Sequence, residues 1–230
     1  MPKNILARLR AQGYEKLHWS GRDGTFDDLS GNGNNLTPNG TVIKKCENGF
    51  SAWFDGVNDY ASINDQSYFS PANASMTWAI WVRCGSMLAA TARNIVCKRA
   101  GGNYEWGLVV NNGDLVSVRF DLYTLAGGAA GTITQVGSFS ENARRFRFYV
   151  VTYADPVLTL YVDGLFNVTG NRMAAIGDGI APVQLGAGAD FPGSDYLCGF
   201  ADELYIYSGI ALSATEVSQL YGLTHPWGMP

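Results

Sequence analysis

Aromatic residues set beside amides and carboxylates are the first residues of this chain whose types suggest chemistry. Tyr104, Trp106, Tyr123 and Tyr196 fall in or near polar turns, with Asn103, Asn111, Asn112 and Asp190 close in sequence. Aromatic faces stack on sugar rings while amides and carboxylates bind hydroxyl groups, so Tyr104, Trp106, Asn112 and Tyr196 are candidate ligand-binding residues. Each of these aromatics could equally anchor a core or a loop, and the sequence leaves both readings open.

Acid–base chemistry finds less support. Retaining glycoside hydrolysis places two carboxyl groups about 5–5.5 Å apart, and the chain has no E-x-D-x-E run that would line carboxylates up along one strand face. Asp202 and Glu203 are neighbours. On a regular strand neighbours point to opposite faces, which predicts that the two do not act as a pair. His18 and His225 lie near the chain ends with no serine or cysteine nucleophile motif around them. Cys46, Cys84, Cys97 and Cys198 show no C-x-x-C spacing, and two histidines do little to complete a zinc set, so buried free thiols are expected. The residues point to a protein that binds rather than catalyses.

Composition narrows the scaffold. Of 230 residues, 47% are hydrophobic and 16% charged, and 28 are glycine, which suits many strands joined by tight turns in one domain. The net charge is −4, and no basic cluster exceeds the pairs at 44–45, 98–99 and 144–145, which argues against a nucleic-acid partner. No segment approaches the roughly 18 apolar residues of a membrane span. Residues 1–10 contain no apolar run of the secretory-signal kind.

The elements that must position these groups are mostly strands. Residues 76–83 alternate, with Met76, Trp78, Ile80 and Val82 on one face and Thr77, Ala79, Trp81 and Arg83 on the other. A tryptophan on each face predicts a strand covered on both sides. Strands at 104–110 and 114–120 flank Asn112-Gly113, and strands at 157–162 and 165–168 flank Asp163-Gly164; both dipeptides favour two-residue hairpin turns. Further strands are expected at 51–54, 146–153, 183–186 and 204–207, with a mobile loop at the Gly/Ala-rich 126–131. A helix at 213–221 is signalled by a Ser213/Glu216 capping box, an apolar face of Val217, Leu220 and Tyr221, and Gly222 as a left-handed cap. Residues 3–12 suggest a second, minor helix. The pattern is an all-β antiparallel two-sheet β-sandwich of the jelly-roll kind with one short C-terminal helix.

Six stretches in order sharpen this: 28–34 (DLSGNGN), 54–60 (FDGVNDY), 79–82 (AIWV), 160–164 (LYVDG), 202–207 (DELYIY) and 211–216 (ALSATE), the last followed by Leu220-Tyr221. With them the chain resembles the concanavalin A-like lectin/glucanase superfamily, and within it the laminin-G-like domains of bacteria and viruses. Phe146 and Phe148 stand where that family often has Trp and His, which reads as core exchange. The resemblance implies a sandwich over 17–222, an N-terminal extension at 1–16 and a tail at 223–230. It also implies one structural calcium between the N-terminal turn and the last strand, with Asp28, Asn34 and Asp202 as ligands. The tail, with Trp227 as an anchor for a partner or for the domain's own surface, is similar to those of bacteriophage laminin-G-like proteins. On that likeness the expected role is a virion surface protein, either a capsid decoration or a tail/fibre adhesin. Its expected partners are other virion proteins, cell-surface glycans or a second copy of the chain. The alternative is a carbohydrate-binding module of a secreted bacterial protein.

Overall fold

The computed structural model describes residues 4–46, 49–72, 74–85, 92–111, 117–136, 145–188 and 196–224. The first half of the chain carries α1 (Ile5–Ala11), β1 (Glu15–Trp19), β2 (Thr37–Asn39), β3 (Val42–Cys46), β4 (Gly49–Asp55), β5 (Tyr60–Ile63), β6 (Met76–Cys84), β7 (Arg93–Ala100) and β8 (Asn103–Asn111). The second half carries β9 (Ser117–Tyr123), β10 (Ala129–Thr134), β11 (Arg147–Ala154), β12 (Val157–Val162), β13 (Leu165–Asn171), β14 (Val183–Leu185), β15 (Cys198–Ser208) and α2 (Ala214–Thr224). They form two antiparallel sheets. One runs β13-β12-β11-β6-β15-β4-β3, with β1 also paired to β15, and the other runs β10-β9-β8-β7-β14-β5-β2.

The expected double coverage of β6 is present and explains the layering. Met76, Trp78, Ile80 and Val82 enter the main core between the sheets, while Ala79 and Trp81 enter a second core on the outer face of the first sheet. That second core is covered by Ile5 and Leu9 of α1 and by Val217 and Leu220 of α2. Phe148 stacks on Trp81 with centroids 4.9 Å apart, so the phenylalanine takes up a core position as expected. The boundary at 16/17 falls inside β1, and that at 222/223 falls inside α2.

The Asp163-Gly164 hairpin forms as expected, with φ of +51° and +78° at its two central residues. This matches the mirror-image turn that follows strand twist. The Asn112-Gly113 turn lies outside the described residues, but β8 and β9 pair across it out to Asn111 opposite Ser117. The capping box also forms: the Ser213 N–H donates to Glu216 Oε2 at 2.8 Å and the Glu216 N–H to Ser213 Oγ at 3.4 Å.

Two expectations are corrected. Gly222 does not end α2, which continues to Thr224. There the Thr224 hydroxyl donates to the Leu220 carbonyl at 2.9 Å and accepts from Trp81 Nε1 at 3.1 Å, and this buried tie sustains the last turn. Nor is 126–131 wholly a loop, because Ala129–Thr134 is the edge strand β10. Its small residues mark a close backbone approach: a Cβ on Gly131 would lie 3.0 Å from Arg172 Cα.

Candidate functional site

Two of the three residues expected to bind calcium, Asp28 and Asn34, are engaged by the fold itself. Asp28 Oδ1 accepts the N–H groups of His18 at 3.1 Å and Ser30 at 2.9 Å. Its Oδ2 accepts the Ser30 hydroxyl at 2.8 Å and the Asn34 N–H at 2.9 Å. Asn34 donates through Nδ2 to the Lys16 carbonyl at 2.6 Å and accepts the Tyr68 hydroxyl at 3.0 Å. These bonds hold the turn against β1. Asp202 binds elsewhere, and among the described residues no group of three or more His, Cys, Asp or Glu side chains is placed to hold a metal ion. Calcium takes six to eight oxygen ligands, and the four bonds to Asp28 leave that carboxylate no lone pair to give one as arranged.

Asp202 sits where the edge of β15 changes partner. β4 pairs with Cys198 to Ala201, and β1 pairs with Leu204 to Tyr207. Between them the register against β6 slips, and Glu203 adopts φ +52°. This bulge overturns the expectation that the two carboxylates point to opposite faces, since an extra residue re-aims side chains. The Ser20 hydroxyl contacts both, at 3.4 Å from Asp202 Oδ1 and 3.0 Å from Glu203 Oε1. Asp202 Oδ1 also accepts the Gly21 N–H at 2.7 Å, so a side chain replaces strand pairing at the break. Glu203 Oε2 accepts the Tyr205 hydroxyl at 2.5 Å and lies 3.2 Å from His18 Nε2. Arg10 is always a donor, and its NH2 lies 3.3 Å from His18 Nδ1. Nδ1 therefore accepts and Nε2–H donates to Glu203.

Burial, then the charge of Glu203, raises the Asp202 pKa to about 6. Glu203 is held below its ordinary value because His18, Tyr205 and Arg22 outweigh its burial. A recess of about 230 Å³ lined by His18, Ser20, Arg22, Asp23, Leu29 and Glu203 opens beside the cluster. The chemistry is that of a strand junction. Ser20 donates to carboxylates instead of being activated by a histidine. Asp202, 1% exposed, is out of reach of a bound polymer.

The aromatic candidates do not converge. Trp106 is fully buried in the main core, and its Nε1 donates to the Phe69 carbonyl at 2.9 Å, so it cannot stack on a ligand. Tyr104 is half-buried against Tyr123, with ring centroids 5.8 Å apart. The Tyr196 carbonyl accepts from Arg93 at 2.6 Å. On β7, Arg93 is opposite Val110 and Arg99 is opposite Tyr104, which puts Tyr104 and Tyr196 toward opposite ends of that strand. Asn112 and Trp227 lie outside the described residues.

A recess that sequence reasoning missed gathers three segments at one end of the sandwich. It has a volume of about 350 Å³ and is lined by the loop before β6 (Pro71, Ala72, Ala74, Ser75), by the β11–β12 turn (Tyr153, Asp155) and by the chain after β13 (Arg172, Ala175, Ile176). The Tyr153 hydroxyl donates to Asp155 Oδ1 at 3.0 Å. Arg172 grips the same carboxylate bidentately, through Nε and through NH2 to Oδ2 at 2.9 Å, and its NH1 donates to the Ala174 carbonyl at 3.2 Å. This pairing depresses the Asp155 pKa. The rest of the lining is small and, Ser75 apart, apolar, so the recess joins a fixed polar wall to a largely apolar one. One signal was available in the sequence. Counting outward from the Asp163-Gly164 turn, where 162 faces 165, brings 155 close to 172, although a bulge between Leu160 and Tyr161 shifts the register by one residue.

Residues 55–218 match the Laminin_G_3 family of the concanavalin A-like lectin/glucanases superfamily, and the chain belongs to that family. Among solved structures it is similar to the binding domain of Paraclostridial Mosquitocidal Protein 1, at 18% identity and a TM-score of 0.74, covering 94% of this chain and 53% of that one. A structure of botulinum neurotoxin type C, whose cell entry depends on interaction with two ganglioside molecules, is similar at 16% identity and a TM-score of 0.74, over 95% and 53% of the chains. Domain 4 of the extracellular arabinanase AbnA from Geobacillus stearothermophilus, in complex with arabinotriose, is similar at 16% identity and a TM-score of 0.65, over 90% and 98%. The chain thus spans about half the toxin chains it matches but nearly all of the arabinanase domain. The search of curated proteins found no match.

Proposed function

We propose that this domain is a non-enzymatic recognition module that binds a saccharide in the recess walled by Tyr153, Asp155 and Arg172. One observation carries the reading: a recess of about 350 Å³ with a pre-ordered donor–acceptor triad beside small, mostly apolar residues. Ligand pockets combine this size with a few fixed polar groups in an apolar lining. The arabinanase domain in complex with arabinotriose, matched over 98% of its length, supports the same class of ligand. Isothermal titration with arabinotriose and a neutral oligosaccharide panel tests it, with Ala175→Trp as the control that fills the recess. Binding that survives this exposed substitution overturns the assignment.

The carrier of the module is also a proposal. The likeness of the tail at 223–230 to bacteriophage laminin-G-like proteins supports display on a virion, as a capsid decoration or a tail/fibre adhesin. Mass spectrometry of purified particles tests this, and absence from them refutes it. The likeness to an extracellular arabinanase domain favours a second reading, a carbohydrate-binding module of a secreted bacterial protein. A glycosidase domain encoded in the same polypeptide would decide for it.

A further inference from the structure

We infer that the recess selects neutral saccharides presenting two adjacent hydroxyl groups and discriminates against acidic ones. The inference rests on the reading of the recess as a binding site. An isolated arginine in such a place would recruit carboxylates, as in uronic or sialic acids. Here Arg172 already holds a carboxylate in the bidentate geometry that an acidic sugar would need, through Nε and through NH2 to Asp155 Oδ2 at 2.9 Å. The other lining residues, Pro71, Ala72, Ala74, Ser75, Tyr153, Ala175 and Ile176, carry no charge, so the wall is neutral in sum. An incoming anion would meet the Asp155 charge beside the cation it seeks. The net charge of −4 adds to this repulsion.

The remaining valences suit a diol. Arg172 has five N–H groups, of which one on Nε, one on NH2 and one on NH1 are engaged among the described residues. This leaves two donors. Asp155 has about four lone-pair positions, of which Tyr153, Arg172 Nε and Arg172 NH2 take three. A free donor and a free acceptor on one planar ion pair match neighbouring hydroxyls, one accepting and one donating. The alanine, proline and isoleucine side chains offer an apolar surface for the C–H face of the ring. Tyr153 is 2% exposed, so its role is to orient Asp155 rather than to stack on the ligand.

The test uses matched saccharide pairs: galactotetraose with tetragalacturonate, and lactose with 3′-sialyllactose, alongside arabinotriose. Binding to at least one neutral member, at least tenfold tighter than to its acidic partner, is expected. Arg172→Met should lower neutral binding at least tenfold with an unchanged melting temperature, because side chains 31% and 57% exposed at Arg172 and Asp155 are not needed to fold. Asp155→Asn uncovers the guanidinium and should raise affinity for the acidic members. Preference of the unmodified protein for acidic members overturns the inference alone. Neutral binding indifferent to both substitutions moves the site elsewhere and overturns it too. Failure to bind any saccharide overturns the binding reading itself.

Discussion

At the scale of single residues, two carboxylates make opposite predictions. Asp155 is held below its ordinary pKa by Arg172, so it stays ionised through the mildly acidic range. Saccharide binding should be flat from pH 8 to 5 and fail only below the ordinary carboxylate range; a titration midpoint near 6 would show that another group controls binding. Asp202 is raised from 3.8 to about 6, chiefly by burial. The folded state therefore takes up its proton more readily than the unfolded chain. The stabilisation this gives is complete below 3.8 and lost as pH rises through about 6. Going from pH 4 to pH 7, the native protein should lose roughly 2 kcal/mol relative to Asp202→Asn. Urea unfolding of both proteins at the two pH values reads this directly, and parallel curves would contradict it. Trp106 shows the reverse kind of surprise, since a residue type favoured at sugar sites is consumed by the core.

At the scale of elements, turn and cap chemistry was readable because it depends on residues a few positions apart. The Asp163-Gly164 turn needs φ +78° at Gly164, and a Cβ there would lie 2.9 Å from that of Tyr221. Gly164→Ala should cost about 1–3 kcal/mol, combining backbone strain with overpacking; a cost below about 0.5 kcal/mol would mean that α2 yields freely. Ser213→Ala removes one half of the capping box and should cost about 1 kcal/mol in chemical denaturation. The turn at 28–34 is held by hydrogen bonds that saturate Asp28. Melting curves with excess calcium and with chelator should therefore coincide, and a rise of several degrees with calcium would show that the turn rearranges around an ion.

At the scale of the whole molecule, the first sheet separates two cores, and the helices exist to close the outer one. Trp81 stacks on Phe148 at 4.9 Å and on Tyr221 at 5.4 Å and bonds Thr224 through Nε1 at 3.1 Å. Trp81→Ala should cost about 3–5 kcal/mol and expose α2 to proteolysis before the sandwich unfolds. Loss of the sandwich and α2 in a single step would instead make the two cores one cooperative unit.

Alternation, hairpin dipeptides and the capping box are local in sequence, and so the chain by itself determined the sandwich, the doubly covered β6 and the late helix. Tertiary structure alone decided which candidate groups come together. Whether an aromatic faces core or solvent depends on which sheet lies over it, and this took Trp106 out of consideration. Whether Asp202 and Glu203 share a face depends on a bulge caused by the exchange of β4 for β1 along β15. The recess needs the loop before β6 to meet the far end of the β12–β13 hairpin. Contacts between segments some eighty residues apart leave no spacing for a sequence to display.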